Sequence, residues 1–176
     1  MLANANILYL FLIEFLILFY IFYLTLNVII MIEEFIEANE LKAEIISFPT
    51  ETPVSVAIKQ KKFNPKNIIQ TNLFISAKKE EILTINHPGK NPQIEVLEKL
   101  IGEDLLETNE EECLSITGYK KHFLPPISIF GIKVIIDSSL EKLSYLVFPL
   151  STKKYLKIPL EEILSSNEDI VFEKLS

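Results

Sequence analysis

The chain has 176 residues, a formal charge of −7, and 17 cationic side chains, all of them lysine. Without arginine it lacks the forked donor that reads phosphate bidentately, and without a basic excess it argues against coating duplex nucleic acid. One cysteine, Cys113, excludes an intrachain disulfide and a zinc cluster, while one small anionic ligand stays open.

The first element is apolar. Residues 7–32, ILYLFLIEFLILFYIFYLTLNVIIMI, carry only Glu14, Thr25 and Asn27 as polar interruptions. About 20 such residues span a bilayer core. MLANAN before the run has no lysine, and the run is too long for a signal-peptide core. The sequence therefore predicts a retained transmembrane helix over residues 1–32. All lysines lie C-terminal to it, which places the following domain in the cytoplasm and the protein in the inner membrane. At 100° per residue, Glu14 and Thr25 fall within about 20° of each other, with Leu18 and Ile21 completing the stripe. An ionisable group inside a span faces a partner helix or water, so Glu14 and Thr25 are read as pore or helix-contact residues. A protonated Glu14 near the membrane edge is the plainer alternative.

Residues 33–42, within the segment IEEFIEANELK, have no proline or glycine to stop a helix and are read as a stalk. From residue 43 the pattern alternates. AEIISF (43–48) reads as a strand, PTETP as a turn, and VSVAIKQKKF (54–63) as a helix with Thr52 as N-cap and Pro53 at N1. IIQTNLFIS (68–76) reads as a second strand. AKKEEILTI starts a helix, HPGKNP breaks it, and QIEVLEKLIG is an amphipathic helix. EDLLETNEEE holds a short strand at its apolar core. CLSIT (113–117) reads as a strand, HFLPPISIFG as a helix broken by Pro125-Pro126, and IKVIID with KLSYLVFPL as a hairpin. YLKIPLEEILSS ends in a helix with Pro159 near its start. This βαβ rhythm predicts an α/β fold around a mostly parallel central sheet.

In such sheets ligands bind beyond the carboxyl ends of strands. Two loops qualify, SFPTETP after the first strand and TGYKK after CLSIT. Both offer hydroxyls and N–H groups to an anion. The plain alternative for TGYKK is a turn with glycine at positive φ and solvated lysines. His87 and His122 are too isolated for a metal site, and Cys113 reads as a small buried hydrophobe.

Taken together, the loops resemble those of CRISPR-associated Rossmann-fold sensor domains, the CARF family. IISFPTETPVSVAIKQKKFNPKNIIQTNLFIS is similar to the family's opening, including the approach Pro65-Lys66-Asn67-Ile68. SITGYKK is similar to its T-G-G-x-K-like loop, with Tyr119 in place of the second glycine. IKVIIDSSLEKLSYLVFP and KIPLEEILSS look like its closing elements. The resemblance spans 43 to about 165, and residues 43–176 are assigned to this Rossmann-like domain. It implies a dimer holding a cyclic oligoadenylate, cyclic tetra-adenylate by choice. The implied ligand-binding residues are Ser47, Pro49, Thr50, Glu51 and Thr52 on one loop, and Thr117, Gly118, Tyr119, Lys120 and Lys121 on the other, with Lys120 the main cation.

A membrane helix joined to such a sensor implies a non-enzymatic membrane effector of type III CRISPR antiviral immunity. Cyclic tetra-adenylate binds the cytosolic dimer, and the helices of a homotetramer form or open an ion channel that depolarises the membrane. No catalytic residue, metal or cofactor is expected. The alternatives are a membrane-anchored ring nuclease and a bitopic scaffold subunit without a nucleotide ligand.

Overall fold

The computed structural model describes residues 31–129 and 131–175. The chain divides into two compact units, 1–38 and 39–176. Of the first, residues 31–38 are helical. The apolar run, with Glu14 and Thr25, otherwise lies outside the described residues. Among the described residues no helix is long and apolar enough to cross a membrane.

The second unit starts with β1 (Glu44–Ser47), α1 (Val54–Lys61), β2 (Gln70–Ser76) and β3 (Glu81–Asn86). It continues through α2 (Ile94–Ile101), β4 (Leu105–Glu107), α3 (Glu110–Thr117) and β5 (Lys133–Asp137). It closes with β6 (Tyr145–Pro149), β7 (Lys154–Pro159), α4 (Leu160–Ser165) and β8 (Ile170–Glu173). One sheet has the order β1-β7-β6, the other β4-β2-β3-β5-β8. A bridge between Ile68 and Val147, and the Ile69 N–H donating to the Val147 carbonyl at 3.0 Å, tie β6 to the start of β2.

The expected mostly parallel Rossmann-like sheet is corrected. Only β3–β5 and β5–β8 run parallel; β1–β7, β6–β7, β2–β3 and β2–β4 are antiparallel. Three local readings change with it. The segment read as a helix from Ala77 is the turn into β3. Lys79 takes φ 68°, and the Ser76 hydroxyl accepts from the N–H groups of Lys78 and Glu80, 3.2 Å each. β3 lies between β2 and β5, so EILTIN is apolar on both faces rather than helically periodic.

CLSIT is not a strand but the end of α3. That helix is set by a capping box: the Asn109 side chain accepts from the Glu112 N–H at 3.0 Å, and the Glu112 carboxylate accepts from the Asn109 N–H at 2.8 Å. Three glutamates in its first turn suit the positive helix end. Nor do β5 and β6 form a hairpin: they enter different sheets, separated by a 3-10 turn at Ser138–Leu140.

Two buried clusters join helices to the sheets. Ile46, Phe48, Ala57, Phe63, Ile68, Val147 and Tyr155 join the small sheet to α1. Phe74, Ile82, Leu97, Leu105, Ile135 and Leu175 join the large sheet to α2. α2 presents Ile94, Leu97 and Ile101 inward at helical spacing. Burying each such side chain contributes about 1.5–3 kcal/mol.

Candidate functional site

Three chain segments converge beyond the small sheet. The first is the loop from β1 to α1. The Phe48 N–H donates to the Lys153 carbonyl at 2.9 Å, and the Thr52 N–H to the Thr152 carbonyl at 2.8 Å. The Thr52 hydroxyl donates to the Thr50 carbonyl at 2.9 Å. Pro53, not Thr52, is the N-cap residue of α1, which opens without a side-chain cap, so the expected Thr52 cap with Pro53 at N1 is corrected.

The second segment is the β6–β7 connection. Ser151 Oγ accepts from the N–H groups of Lys153, 3.2 Å, and Lys154, 3.1 Å. Those bonds shape the turn and leave the Ser151 hydroxyl proton free to donate elsewhere. Tyr155, the second residue of β7, donates its hydroxyl to the Thr52 carbonyl at 2.7 Å. Burial pushes the Tyr155 phenol above its ordinary range, so it stays a donor.

The third segment is the 3-10 turn Lys121–Phe123 and the Leu124-Pro125-Pro126-Ile127 run behind it, which is buried. The Thr71 hydroxyl holds this run by donating to the Leu124 carbonyl at 2.6 Å. Asn167 Nδ2 donates to the Pro126 carbonyl at 3.1 Å.

Between the three segments lies a cavity of about 350 Å³, lined by Glu51, Thr52, Pro53, Val54, His122, Phe123, Pro149, Ser151, Thr152 and Tyr155. Apolar side chains form most of its wall. Glu51 is the one carboxylate and His122 the one imidazole among the lining residues, and both are exposed. Such an apolar hollow with a few convergent polar groups is how small-molecule sites are built.

The residues expected on the two loops separate here. Of the first loop, Glu51 and Thr52 line the cavity, while Ser47, Pro49 and Thr50 are exposed outside its lining. Of the second, Thr117, Gly118, Tyr119, Lys120 and Lys121 are not lining residues; the chain enters the cavity wall one residue later, at His122. Thr117 ends α3 and donates its hydroxyl to the Cys113 carbonyl at 2.7 Å. Gly118 is the left-handed helix cap at φ 77°, its N–H donating to the Leu114 carbonyl. The Tyr119 N–H donates to Thr117 Oγ1 at 3.1 Å, and its buried hydroxyl meets Ser128 Oγ at 3.1 Å. Lys121 Nζ donates to the Thr108 carbonyl at 2.7 Å and pairs with Glu107 at 2.9 Å. Lys120 alone of the five projects an uncommitted cation. A loop at a helix C-terminus, with its donors spent internally, is a cap, and the dipole there disfavours an anion.

His122, Phe123, Ser151 and Thr152 escaped the sequence reading. An available signal was the buried-loop character of FLPPI directly after His122. Among the described residues no cluster of histidine, cysteine and acidic groups could hold a metal ion. Cys113 is buried, and burial pushes its thiol up, away from the reactive thiolate.

The mixed two-sheet fold is an α/β domain with a cavity set between loop-borne polar groups. The chain belongs to the aminoacyl-tRNA editing domain family, whose model matches residues 49–165, a span containing every lining residue. Solved structures give the same fold. The hypothetical protein APE2540 superposes with a TM-score of 0.70 at 17% identity, over 81% of this chain and 97% of that one. A candidate trans-editing enzyme for prolyl tRNA synthetase superposes at 0.65 with 14% identity, over 76% and 87%. A candidate signal transduction protein from Marinobacter aquaeolei VT8 gives 0.57 at 13% identity, over 82% of this chain and 31% of that one. No curated protein matches the chain.

Family membership corrects the CARF resemblance and what hung on it: the type III CRISPR antiviral effector, the cyclic oligoadenylate ligand, and the dimeric or tetrameric ion channel depolarising a bilayer. The motifs that suggested a CARF domain were short, and one of them lies on a helix rather than a strand. The inner-membrane placement is corrected with that effector, which it served; the apolar run itself lies, up to residue 30, outside the described residues.

Proposed function

We propose that this domain hydrolyses the ester joining an amino acid to the 3′-terminal ribose of a tRNA. The cavity carries the reading: it is roomy enough for an aminoacyl group, largely apolar, and places one carboxylate, one imidazole and four hydroxyl side chains at its wall. The aminoacyl side chain packs against Val54, Phe123, Pro149 and Tyr155. The Glu51 carboxylate pairs with the α-ammonium group. The Ser151 hydroxyl, already accepting two N–H bonds, donates to the ester carbonyl oxygen as negative charge develops on it.

Water attacks the ester carbonyl carbon. His122 takes the proton that water releases and returns it to the ribose oxygen as the carbon–ribose oxygen bond breaks. The products are a free amino acid and a tRNA with its terminal hydroxyl restored.

The test is release of labelled amino acid from a panel of aminoacyl-tRNAs. The wild-type chain releases label from at least one of them, and His122→Ala loses about 10²–10⁴-fold in rate. A domain that only binds aminoacyl-tRNA would leave the ester intact. Intact esters across the whole panel would reject hydrolysis.

A further inference from the structure

Charge in the second unit is separated in a way that composition hides. Residues 54–67, over α1 and the turn after it, carry Lys59, Lys61, Lys62 and Lys66 and no acidic residue. All four lysines are exposed. The Lys61 ammonium lies 5.7 Å from the Phe48 ring centre. Lys59, Lys62 and Lys66 form no ion pair among the described residues. At 100° per residue Lys59 and Gln60 lie within about 60° of Val56, an apolar side chain left 38% exposed.

Residues 103–112, over β4 and the start of α3, are the converse. They carry Glu103, Asp104, Glu107, Glu110, Glu111 and Glu112 and no lysine. Lys78 pairs with Glu103 and Lys121 with Glu107. Asp104, Glu110 and Glu111 are exposed and have no ion pair among the described residues. Apolar side chains stand among these carboxylates: Leu106 on β4 is 77% exposed, and Ile116, on the outward face of α3 with Glu112, is 38% exposed. β4 is an edge of the large sheet, and an open edge invites strand addition. Here the Leu105 N–H is already taken by the Glu98 carboxylate at 3.1 Å, so this region offers side chains for docking.

We infer that the lysine-bearing face of α1 in one copy of this chain docks on the β4–α3 region of a second copy. Val56 meets the exposed apolar side chains, and Lys59 and Lys62 meet the carboxylates of Glu110 and Glu111. A symmetric contact would set each region against its own charge, so the association is head to tail. The net charge of −7 opposes any encounter between copies. What draws them together is the local opposition of charge, which also selects the faces that meet. The contact uses neither the cavity nor the ester-hydrolysis reading.

The experiment is sedimentation velocity of the full-length chain across a wide concentration series. The wild-type mass rises with concentration. Lys59→Glu with Lys62→Glu, and separately Glu110→Lys with Glu111→Lys, set like charges face to face and each weaken self-association by at least about tenfold. Mixing these two variants restores association, because the lysines of one now meet the glutamates of the other. Lys90→Glu with Lys174→Glu, at exposed lysines outside both regions, matches the net charge of the first variant and keeps the wild-type behaviour. A control weakened as much as the first variant would assign the effect to net charge and overturn the contact. So would a wild type that stays monomeric, or self-association that neither charge reversal alters. Two monomeric variants that stay apart when mixed overturn it as well.

Discussion

Tyr155 on β7 donates its hydroxyl to the carbonyl of Thr52, 103 residues earlier in the chain, at 2.7 Å. This bond closes the β1–α1 loop against the small sheet and forms one corner of the cavity. Both residues are buried, at 2% and 7% exposure, so water is a poor substitute partner. Tyr155→Phe keeps the ring and its edge contact with Phe48 and removes only the donor. A buried carbonyl left unpaired costs about 1–3 kcal/mol. The expected result is a loss of that size in denaturant unfolding, with a fall in aminoacyl-tRNA deacylation as the Glu51 loop loosens. A variant as stable and active as wild type would show that this corner is not held by the bond.

Gly118 gives the opposite kind of test. Its φ of 77° is strained for any residue with a Cβ, yet a Cβ built there meets nothing within 4 Å. Gly118→Ala should cost about 1–2 kcal/mol through the backbone alone. Because Gly118 caps α3 and does not line the cavity, kcat and KM for deacylation should hold under conditions where the variant is folded. A selective loss of activity would return this loop to the site.

The difference between Gly118 as a cap and Gly118 as a ligand loop is also the difference between what local sequence can and cannot tell. β1, α1, β2, α2 and α4 were legible because each is an apolar pattern at one period with turn residues at its ends. α3 was misread from CLSIT, whose β-forming composition outweighed the Asn109-x-x-Glu112 signal immediately upstream. Only that signal states where a helix begins, and it was readable. The partners of β5 were not readable. Lys133–Asp137 pairs in parallel with β3 and β8, contacts distant in sequence that no hairpin signal marks. Two of the ten lining residues were visible in the sequence, because Thr52 and Glu51 sit in a loop bounded by two local elements. His122 and Ser151 come to them only through long-range pairing.

Acid sensitivity should centre on Asp137 at the end of β5. Burial by itself pushes its carboxyl up, but hydrogen bonds outweigh this. The carboxylate accepts from the hydroxyl and N–H of Ser139 and from the Leu175 N–H at 3.1 Å, with His87 nearby, and the net direction is downward. A carboxyl lower in the folded than in the unfolded chain contributes stability in full above the unfolded value of about 3.9. That contribution fades as pH falls below 3.9 through the folded value. Asp137→Asn lacks the titrating group. Its unfolding free energy should be lower than wild type at neutral pH, and the gap should narrow through the acid range. Parallel pH profiles for the two proteins would remove Asp137 as the source.

Thr71 offers the sharpest separation of positioning from folding. Its hydroxyl, on the second residue of β2, reaches the Leu124 carbonyl at 2.6 Å, immediately behind the His122–Phe123 wall. Leu124 is fully buried and Thr71 is 5% exposed, so no solvent replaces the bond. Thr71→Val matches the shape of threonine and deletes the donor; Thr71→Ser keeps the donor and deletes a methyl group. If the bond fixes the wall that carries the imidazole, Val lowers kcat more than it raises KM, and Ser restores kcat despite its smaller volume. Val should also lose about 1–3 kcal/mol of stability for the stranded carbonyl. Ser should lose about 1 kcal/mol for the missing methyl group. The order of the two variants in kcat decides the matter. Equal loss in both would mean that packing at Thr71, and not its hydrogen bond, supports the wall.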